Sequence, residues 1–145
     1  MLPLTRRALL APALAALTAG VLAACGDGAT ESSSIAGTYT ATTFRITPSG
    51  QAAVDVLARG GTLVLTIDGD NRTSGMLSLP SAVTGGEAFT ASMTGRAVRT
   101  GNTVRFEQTA DTFVRDLRWT VDGRTLRAEN QTAGAGAFTI TLTRP

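Results

Sequence analysis

The 145-residue sequence contains no histidine and no lysine, and it has one cysteine. Without histidine the chain has no His-dependent catalytic triad, no histidine metal site and no imidazole proton shuttle. One cysteine excludes an intramolecular disulfide and any multi-cysteine zinc or iron–sulfur site. Aromatic residues make up only 5% of the chain, with one Trp and one Tyr. These absences predict that the protein binds no metal and no cofactor.

Residues 1–24 have the pattern of an export signal. Arg6 and Arg7 precede an apolar stretch, 8–24. This stretch is shorter than the roughly 20 residues that a bilayer-spanning helix needs, so the pattern favours a cleaved signal peptide. The paired arginines are compatible with both general secretion and twin-arginine export.

The only cysteine lies at the end of this apolar stretch. Leu22, Ala23 and Ala24 come directly before Cys25. This arrangement resembles the lipobox of bacterial lipoprotein signal peptides. The resemblance implies cleavage after Ala24 and acylation of Cys25, with palmitate as one of the acyl groups. It also implies a protein that is lipid-anchored in the bacterial cell envelope, at the outer membrane or at the outer face of the inner membrane, with its domain in the periplasm or outside.

Residues 25–34 are predicted to be the acylated cysteine and a flexible tether. No residue of 26–34 is apolar and larger than Ala. A flexible chain of this length would keep the following domain within about 15–18 Å of the lipid on average.

Cleavage would also change the charge balance. Removing Arg6 and Arg7 leaves 11 arginines against 11 acidic residues. The arginines are scattered along the sequence. A net charge near zero without a basic cluster gives no special electrostatic reason to expect an anionic surface as a partner, and we predict that the protein binds no nucleic acid.

From Ile35 onward the sequence is typical of an all-β domain, 35–145. Apolar and polar residues alternate in short runs, as where Phe138, Ile140 and Leu142 are separated by threonines. This period of two, with one face of each strand exposed to solvent, indicates antiparallel strands around a single core. We predict eight strands, near 35–47, 62–68, 72–79, 88–99, 103–108, 117–121, 124–131 and 137–144.

The connections favour consecutive hairpins. Asp122-Gly123 is a strong two-residue hairpin signal, Gly101-Asn102 is a second candidate, and 68–71 and 133–136 are further turns. Such a meander can close into a barrel and so remove its exposed edges.

Two segments break the alternation. Residues 52–59, before Gly60 and Gly61, are predicted to form a short helix or turn that plugs one barrel end. Residues 110–116 are expected at a barrel rim.

The start of the first strand carries a second resemblance. Gly37-Thr38-Tyr39 resembles the Gly-x-Trp element at the start of the lipocalin barrel, with Tyr39 in place of Trp. In lipocalins a basic residue after the last strand packs across that ring, which implies that Gly37, Tyr39 and Arg144 close the barrel. Residues 35–145 resemble small bacterial lipoproteins with a lipocalin-like domain of unknown role. The fold class that we expect is an eight-stranded antiparallel up-and-down, lipocalin-like barrel after a cleaved lipoprotein signal peptide.

This chain is shorter than most lipocalins and lacks their disulfide. An avidin-type barrel of similar size is the nearest alternative, but biotin pockets use several Trp side chains and this chain has only Trp119.

An eight-stranded barrel either holds one small ligand or is filled by its own side chains. The first possibility predicts a hydrophobic ligand such as a lipid. The candidate lining residues are Leu65, Phe89, Met93, Phe106, Trp119 and Phe138. The second possibility predicts a filled barrel that acts as a protein-interaction or inhibitor module in the envelope, with loops 80–88 and 110–116 as candidate binding elements. We take the binding of a small hydrophobic ligand as the first prediction and the filled barrel as the alternative. We expect Phe113 to cap a barrel end rather than to anchor a partner.

We predict that the protein is not an enzyme. Asp111, Asp116, Glu107 and Glu129 are the candidates for a carboxylate pair. However, Glu107 and Glu129 have the outward phase of their strands, next to arginines, and are interpreted as solvated cross-strand pairs with Arg105 and Arg127. No nucleophile elbow, phosphate loop or dinucleotide fingerprint is present.

Overall fold

In the computed structural model, residues 34–134 and 136–145 are described. The predicted signal peptide, the lipobox and nearly all of the predicted tether lie outside these residues. The strands are β1 (Gly37–Pro48), β2 (Val54–Asp55), β3 (Thr62–Ile67), β4 (Arg72–Leu79), β5 (Phe89–Ser92), β6 (Gly95–Thr100), β7 (Thr103–Gln108), β8 (Trp119–Asp122), β9 (Thr125–Ala133) and β10 (Gly136–Thr143). Two single-turn helices, α1 (Ser81–Thr84) and α2 (Phe113–Asp116), lie between strands.

The strands form one antiparallel sheet that closes on itself. Around the sheet the order is β10-β9-β8-β7-β6-β4-β3-β1, and β1 also pairs with β10. Strands β5 and β6 pair with β4 in the same register, so together they form one strand of the barrel, interrupted at 93–94. The barrel therefore has eight strand positions, and β2 is a two-residue addition to β1. The predicted all-β, eight-stranded up-and-down barrel is confirmed.

One two-residue hairpin turn lies where the sequence predicts it, and the other is shifted by one residue. Strands β6 and β7 are joined by Gly101 and Asn102, as predicted, whereas β8 and β9 are joined by Gly123 and Arg124 rather than by Asp122 and Gly123. Gly101 (φ 58°) and Gly123 (φ 56°) are left-handed. Glycine adopts this conformation without a steric penalty, which explains why these two-residue turns are readable from the sequence.

Two register shifts are not predicted by the alternation. One lies between Ala41 and Thr43 of β1 against β10, and the other between Phe138 and Ile140 of β10 against β9. Asn130, at the second shift, has φ 53°, which a β-strand residue does not adopt. Each shift moves the inward set of side chains by one residue, so strict alternation fails at these two points.

Of the two structures predicted for 52–59, the structure has the turn and not the helix. Val54–Asp55 pairs with β1, and the chain then turns back so that the Gly61 N–H donates to the Val56 carbonyl at 2.9 Å. Val56 is fully buried and extends the core at this end of the barrel.

The core fills the inside of the barrel. Its largest fully buried side chains are Trp119, Tyr39, Phe44, Leu63, Leu65, Ile67, Leu77, Met93, Leu117, Leu126, Ile140 and Leu142. They come from strands all around the barrel and from the segment after α2. All buried apolar side chains of the described residues lie between Ile35 and Leu142. Residues 35–145 therefore contain a complete core and the closure of the sheet.

Candidate functional site

The barrel interior was the first candidate for a binding site. Leu65, Met93 and Trp119 have 0% of their surface exposed and Phe106 has 2%, while Phe138 is also buried. A cavity able to hold even a water molecule would leave accessible surface on the side chains that line it. These five inward residues therefore pack against one another and their neighbours rather than around a space. Phe106 and Trp119, for example, meet edge to face with ring centroids 5.7 Å apart.

Phe89, the sixth lining candidate, is not inside the barrel. It is 41% exposed, although it shares the inward phase of the buried Ala91. Phe89 begins β5, which pairs with β4 alone. With a strand neighbour on one side only, the end of β5 lies at the rim. The prediction that Phe89 lines the interior is wrong for this reason.

The structure brings the three predicted closure residues together at one barrel end. The Arg144 guanidinium carbon lies 5.8 Å from the centroid of the Tyr39 ring. Arg144 Nη1 donates a hydrogen bond to the Ala36 carbonyl, and the Tyr39 hydroxyl donates to the Ile35 carbonyl at 2.9 Å. A Cβ on Gly37 would lie 3.0 Å from Arg144 Cδ, and Gly37 has φ 146°, so a glycine is required there.

The environment of Tyr39 also affects its titration. Burial raises the pKa of the Tyr39 phenol above its ordinary value, because the interior disfavours the phenolate. The positive charges of Arg144 and Arg99 oppose this shift, but burial is the larger effect.

The other barrel end is covered by aromatic rings and α2. Phe113 stacks on Phe138 with centroids 4.3 Å apart and meets Phe44 at 5.8 Å. The Trp119 indole N–H donates to the Val114 carbonyl of α2 at 3.1 Å, which ties the helix to the core. Phe113 thus caps the barrel end, as predicted.

A small polar group is buried within the apolar core. The Thr73 hydroxyl donates to the Met93 carbonyl at 2.7 Å, and Gln108 Nε2 approaches the same oxygen at 3.4 Å. The Gln108 Oε1 and the Thr112 hydroxyl have no hydrogen-bond partner among the described residues.

The four acidic residues considered for catalysis are exposed, and each of them faces an arginine. Arg115 lies 2.6 Å from Asp111 and 3.8 Å from Asp116, and Glu129 lies 3.9 Å from Arg127.

For Glu107 the cross-strand interpretation holds with a different partner. Glu107 of β7 lies directly opposite Arg96 of β6, whereas Arg105 belongs to the same strand as Glu107. For Glu129 and Arg127 the interpretation is wrong, because both residues belong to β9. The described part of the chain contains no cluster of three or more His, Cys, Asp or Glu side chains able to hold a metal ion.

The structure also contradicts the interpretation that the arginines are scattered. Four exposed arginines lie on one side of the barrel, three on the strands β4, β6 and β7 and the fourth directly before β8. We call this set the arginine face: Arg72, Arg96, Arg105 and Arg118. Arg72 of β4 lies directly opposite Arg96 of β6. Arg105 of β7 lies opposite Val98 of β6. These two residues and Arg118 line one depression of the barrel surface.

Sequence reasoning missed this face because its members are far apart in the chain. The available signal is that Arg72, Arg96 and Arg105 all have the outward phase of their predicted strands. Counting outward charges strand by strand, rather than along the sequence, would have found the arginine face.

No known protein adds to this description. No family model, curated protein or solved structure matches the chain. Across residues 34–134 and 136–145, no helix combines the length and apolar character required to cross a bilayer.

Proposed function

We propose that this chain is a lipoprotein of the bacterial cell envelope, whose filled barrel acts through its outer surface as an interaction module. The observation that carries the proposal is the packing of the inward side chains. Leu65, Met93 and Trp119 have no exposed surface, so the barrel that could have enclosed a ligand encloses its own residues instead. A binding function then belongs to the outside of the barrel, and the proposal assigns no catalytic activity.

The competing function is the binding of a small hydrophobic ligand inside the barrel. Pockets for such ligands have volumes of about 300–1,000 Å³. To create that space, several fully buried side chains such as Trp119 and Phe106 would have to leave the interior. Emptying a packed core is costly, because each displaced large side chain loses its transfer free energy and its contacts. We therefore favour the interaction module.

The lipid anchor rests on the sequence pattern around Cys25. The sequence Leu22-Ala23-Ala24 before the only cysteine supports acylation at that position. Two or more acyl chains would hold the protein stably at a membrane without a spanning helix.

Native mass spectrometry of residues 26–145 tests the filled interior directly. We expect the mass of the unliganded chain, both after purification and after incubation with an envelope lipid extract. A stoichiometric apolar passenger, recovered by solvent extraction, would overturn the filled-barrel proposal and identify the class of ligand.

A cavity variant provides the positive control for this experiment. Phe106→Ala removes a buried phenyl ring and should leave a void of that shape. Benzene should then raise the melting temperature of Phe106→Ala and not that of the unmodified chain. An equal rise in both proteins would show that the natural interior already has room.

Replacing Cys25 tests the anchor separately. In the bacterial host, Cys25→Ser should abolish palmitate labelling and leave the precursor uncleaved after Ala24. Labelling that persists in this variant would reject the lipobox interpretation.

A further inference from the structure

The arginine face is unusual in how its charges are arranged. Arg72 and Arg96 are direct neighbours across β4 and β6, where like charges repel each other. Among the described residues, no carboxylate oxygen forms an ion pair with Arg72, Arg96, Arg105 or Arg118. The positive charge of this face is therefore available to a partner.

Two arginines elsewhere on the barrel, Arg115 and Arg127, are arranged differently. Arg115 forms an ion pair with Asp111 at 2.6 Å, and Arg127 lies 3.7 Å from Asp122.

Three acidic residues lie close to the arginine face. Glu107 of β7 is directly opposite Arg96, Asp70 lines one depression with Arg72 and Arg96, and the Asp68 carboxylate accepts a hydrogen bond from the Arg72 backbone N–H at 2.8 Å. They reduce the charge of the face from four positive charges to a net one without cancelling it.

Exposed apolar side chains accompany these arginines. Val98, 38% exposed, lies on β6 between Arg96 and the turn, and Met76, 50% exposed, follows Arg72 on β4. Arginine itself has a long apolar stem below its charged group. A surface that combines cationic groups with scattered apolar side chains matches the boundary of a bilayer, where anionic headgroups meet hydrocarbon.

The expected strength of this contact also points to a membrane. Each net positive charge near an anionic bilayer strengthens binding by roughly fivefold. One net charge would bind only weakly from free solution. If Cys25 is acylated as proposed, the nine residues 26–34 would keep the barrel beside the membrane, and that high local concentration would make a weak contact effective.

We propose that the arginine face is the side on which the barrel lies against an anionic phospholipid membrane. The physiological meaning rests on the proposed function, since acylation of Cys25 would keep that membrane within reach. The contact itself involves only the barrel. It can therefore be tested on residues 26–145, which contain the complete core and barrel closure but no acylated cysteine.

The test is co-sedimentation of residues 26–145 with lipid vesicles. One vesicle is pure phosphatidylcholine, and the other contains phosphatidylcholine and phosphatidylglycerol in equal parts. We expect binding to the anionic vesicles alone, and its loss at high salt because salt screens exposed charges. Equal binding to both vesicles, or binding to neither, would overturn the proposal.

Two double variants with the same change in net charge identify the face responsible. Arg72→Gln with Arg96→Gln should weaken binding to anionic vesicles by about 25-fold, from the loss of two charges. Arg115→Gln with Arg127→Gln removes two arginines that are already paired with carboxylates and should change binding by about twofold or less. Equal losses in both variants would show a general effect of net charge and would overturn the assignment. Unfolding curves of all three proteins verify that these exposed substitutions leave the barrel folded.

A nucleic acid is the alternative polyanion. If a single-stranded oligonucleotide binds more tightly than the anionic vesicles and depends on Arg72 and Arg96, the membrane assignment is wrong. The acylation experiment at Cys25 is independent of both results. Failure of labelling would therefore reject the anchor without deciding the chemistry of the arginine face.

Discussion

Two sides of the same barrel carry different outer surfaces. On β1, β3 and β10 the outward residues are mostly threonines, and Arg45 is the only charged residue of these three strands. We call this side the threonine face: Thr38, Thr40, Thr42, Thr62, Thr66, Thr139, Thr141 and Thr143. Its hydroxyls pair across strands, with 3.0 Å between the Oγ1 atoms of Thr38 and Thr66.

The difference shows which outward residues the barrel itself requires. Threonine is β-branched, favours the extended backbone and can pair across strands, so the threonine face is what strand formation alone would favour. The arginine face opposes like charges, which strand formation does not need. Because both sides surround the same core, we attribute the difference between their outward residues to the surroundings that each side contacts.

The two unique aromatic residues provide one probe for each side. Tyr39 belongs to β1 and Trp119 to β8. If both sides share one cooperative core, tyrosine and tryptophan signals must follow the same unfolding curve. Separate tyrosine and tryptophan transitions would contradict a shared core, because they would show that the two sides unfold as independent units.

Gly95→Ala should have the largest effect, on the side of the arginine face. A Cβ at this position would lie 2.1 Å from the Glu107 carbonyl oxygen of β7. Since that oxygen belongs to the backbone, the two strands must separate, and we expect a loss of about 3 kcal/mol in the free energy of unfolding. Urea unfolding should show the loss equally with the Tyr39 and Trp119 probes.

Gly69→Ala is the matched control, because a Cβ there would have no atom within 4 Å. We expect it to change the free energy of unfolding by less than about 0.5 kcal/mol. Equal destabilisation by the two substitutions would argue against close strand packing at Gly95.

Arg144→Ala should have the next largest effect, at the end of the threonine face. It removes the cation above the Tyr39 ring and the hydrogen bond to the Ala36 carbonyl. We expect a loss of about 1–2 kcal/mol in urea unfolding. Arg124→Ala, in the neighbouring exposed turn, should change little. An unchanged midpoint for Arg144→Ala would reject a closing role for this contact.

Alkaline pH tests the same end through Tyr39. Its folded-state pKa is raised above the ordinary tyrosine value of 10.0, so the folded protein keeps the proton to a higher pH than the unfolded chain does. Stability is therefore fully present below pH 10 and falls as the pH rises from 10 towards the folded pKa, by at most about 1.4 kcal/mol per pH unit.

The chain has no lysine, and residues 26–145 lack Cys25, so Tyr39 is the only side chain expected to titrate there. Unfolding by urea between pH 8 and about 11 should show the decrease. Tyr39→Phe should remove it, and an identical slope in that variant would exclude Tyr39 as its source.

The smallest effect should come from exchanging residues between the two faces. Arg96→Thr removes the repulsion of Arg72 and also the attraction of Glu107, the residues directly opposite it on β4 and β7. The two contributions should offset each other and leave the free energy of unfolding nearly unchanged. Thr141→Arg places a new charge opposite Arg127 and should destabilise the barrel by about 0.2–0.5 kcal/mol at low salt. This loss should shrink at high salt. A clearly destabilising Arg96→Thr would show that the barrel itself needs this arginine.

Much of the fold was predictable because its signals are local. The bounds of β4 and β7 agree with the prediction, and Gly101 and Gly123 mark their turns by chemistry that two residues carry alone. The register shifts at Ala41 and at Asn130 were not predictable, since each depends on how a strand fits its neighbours in the closed sheet. Phe89 shows the same limit. Its inward phase was predicted correctly, but it lies at the rim, where β5 pairs with β4 alone and the barrel interior does not surround it.

The sequence by itself determined most of the strands, their order as a meander and, within each regular run, which side chains face inward, because alternation and turn chemistry act over a few residues. Only the tertiary structure decided that the interior is filled and that Arg72, Arg96, Arg105 and Arg118 share one side. How densely the interior is packed depends on all inward side chains together. Which residues are neighbours on the barrel surface depends on the pairing register of the strands around the closed sheet. Both are properties of residues far apart in the chain, which no local pattern contains.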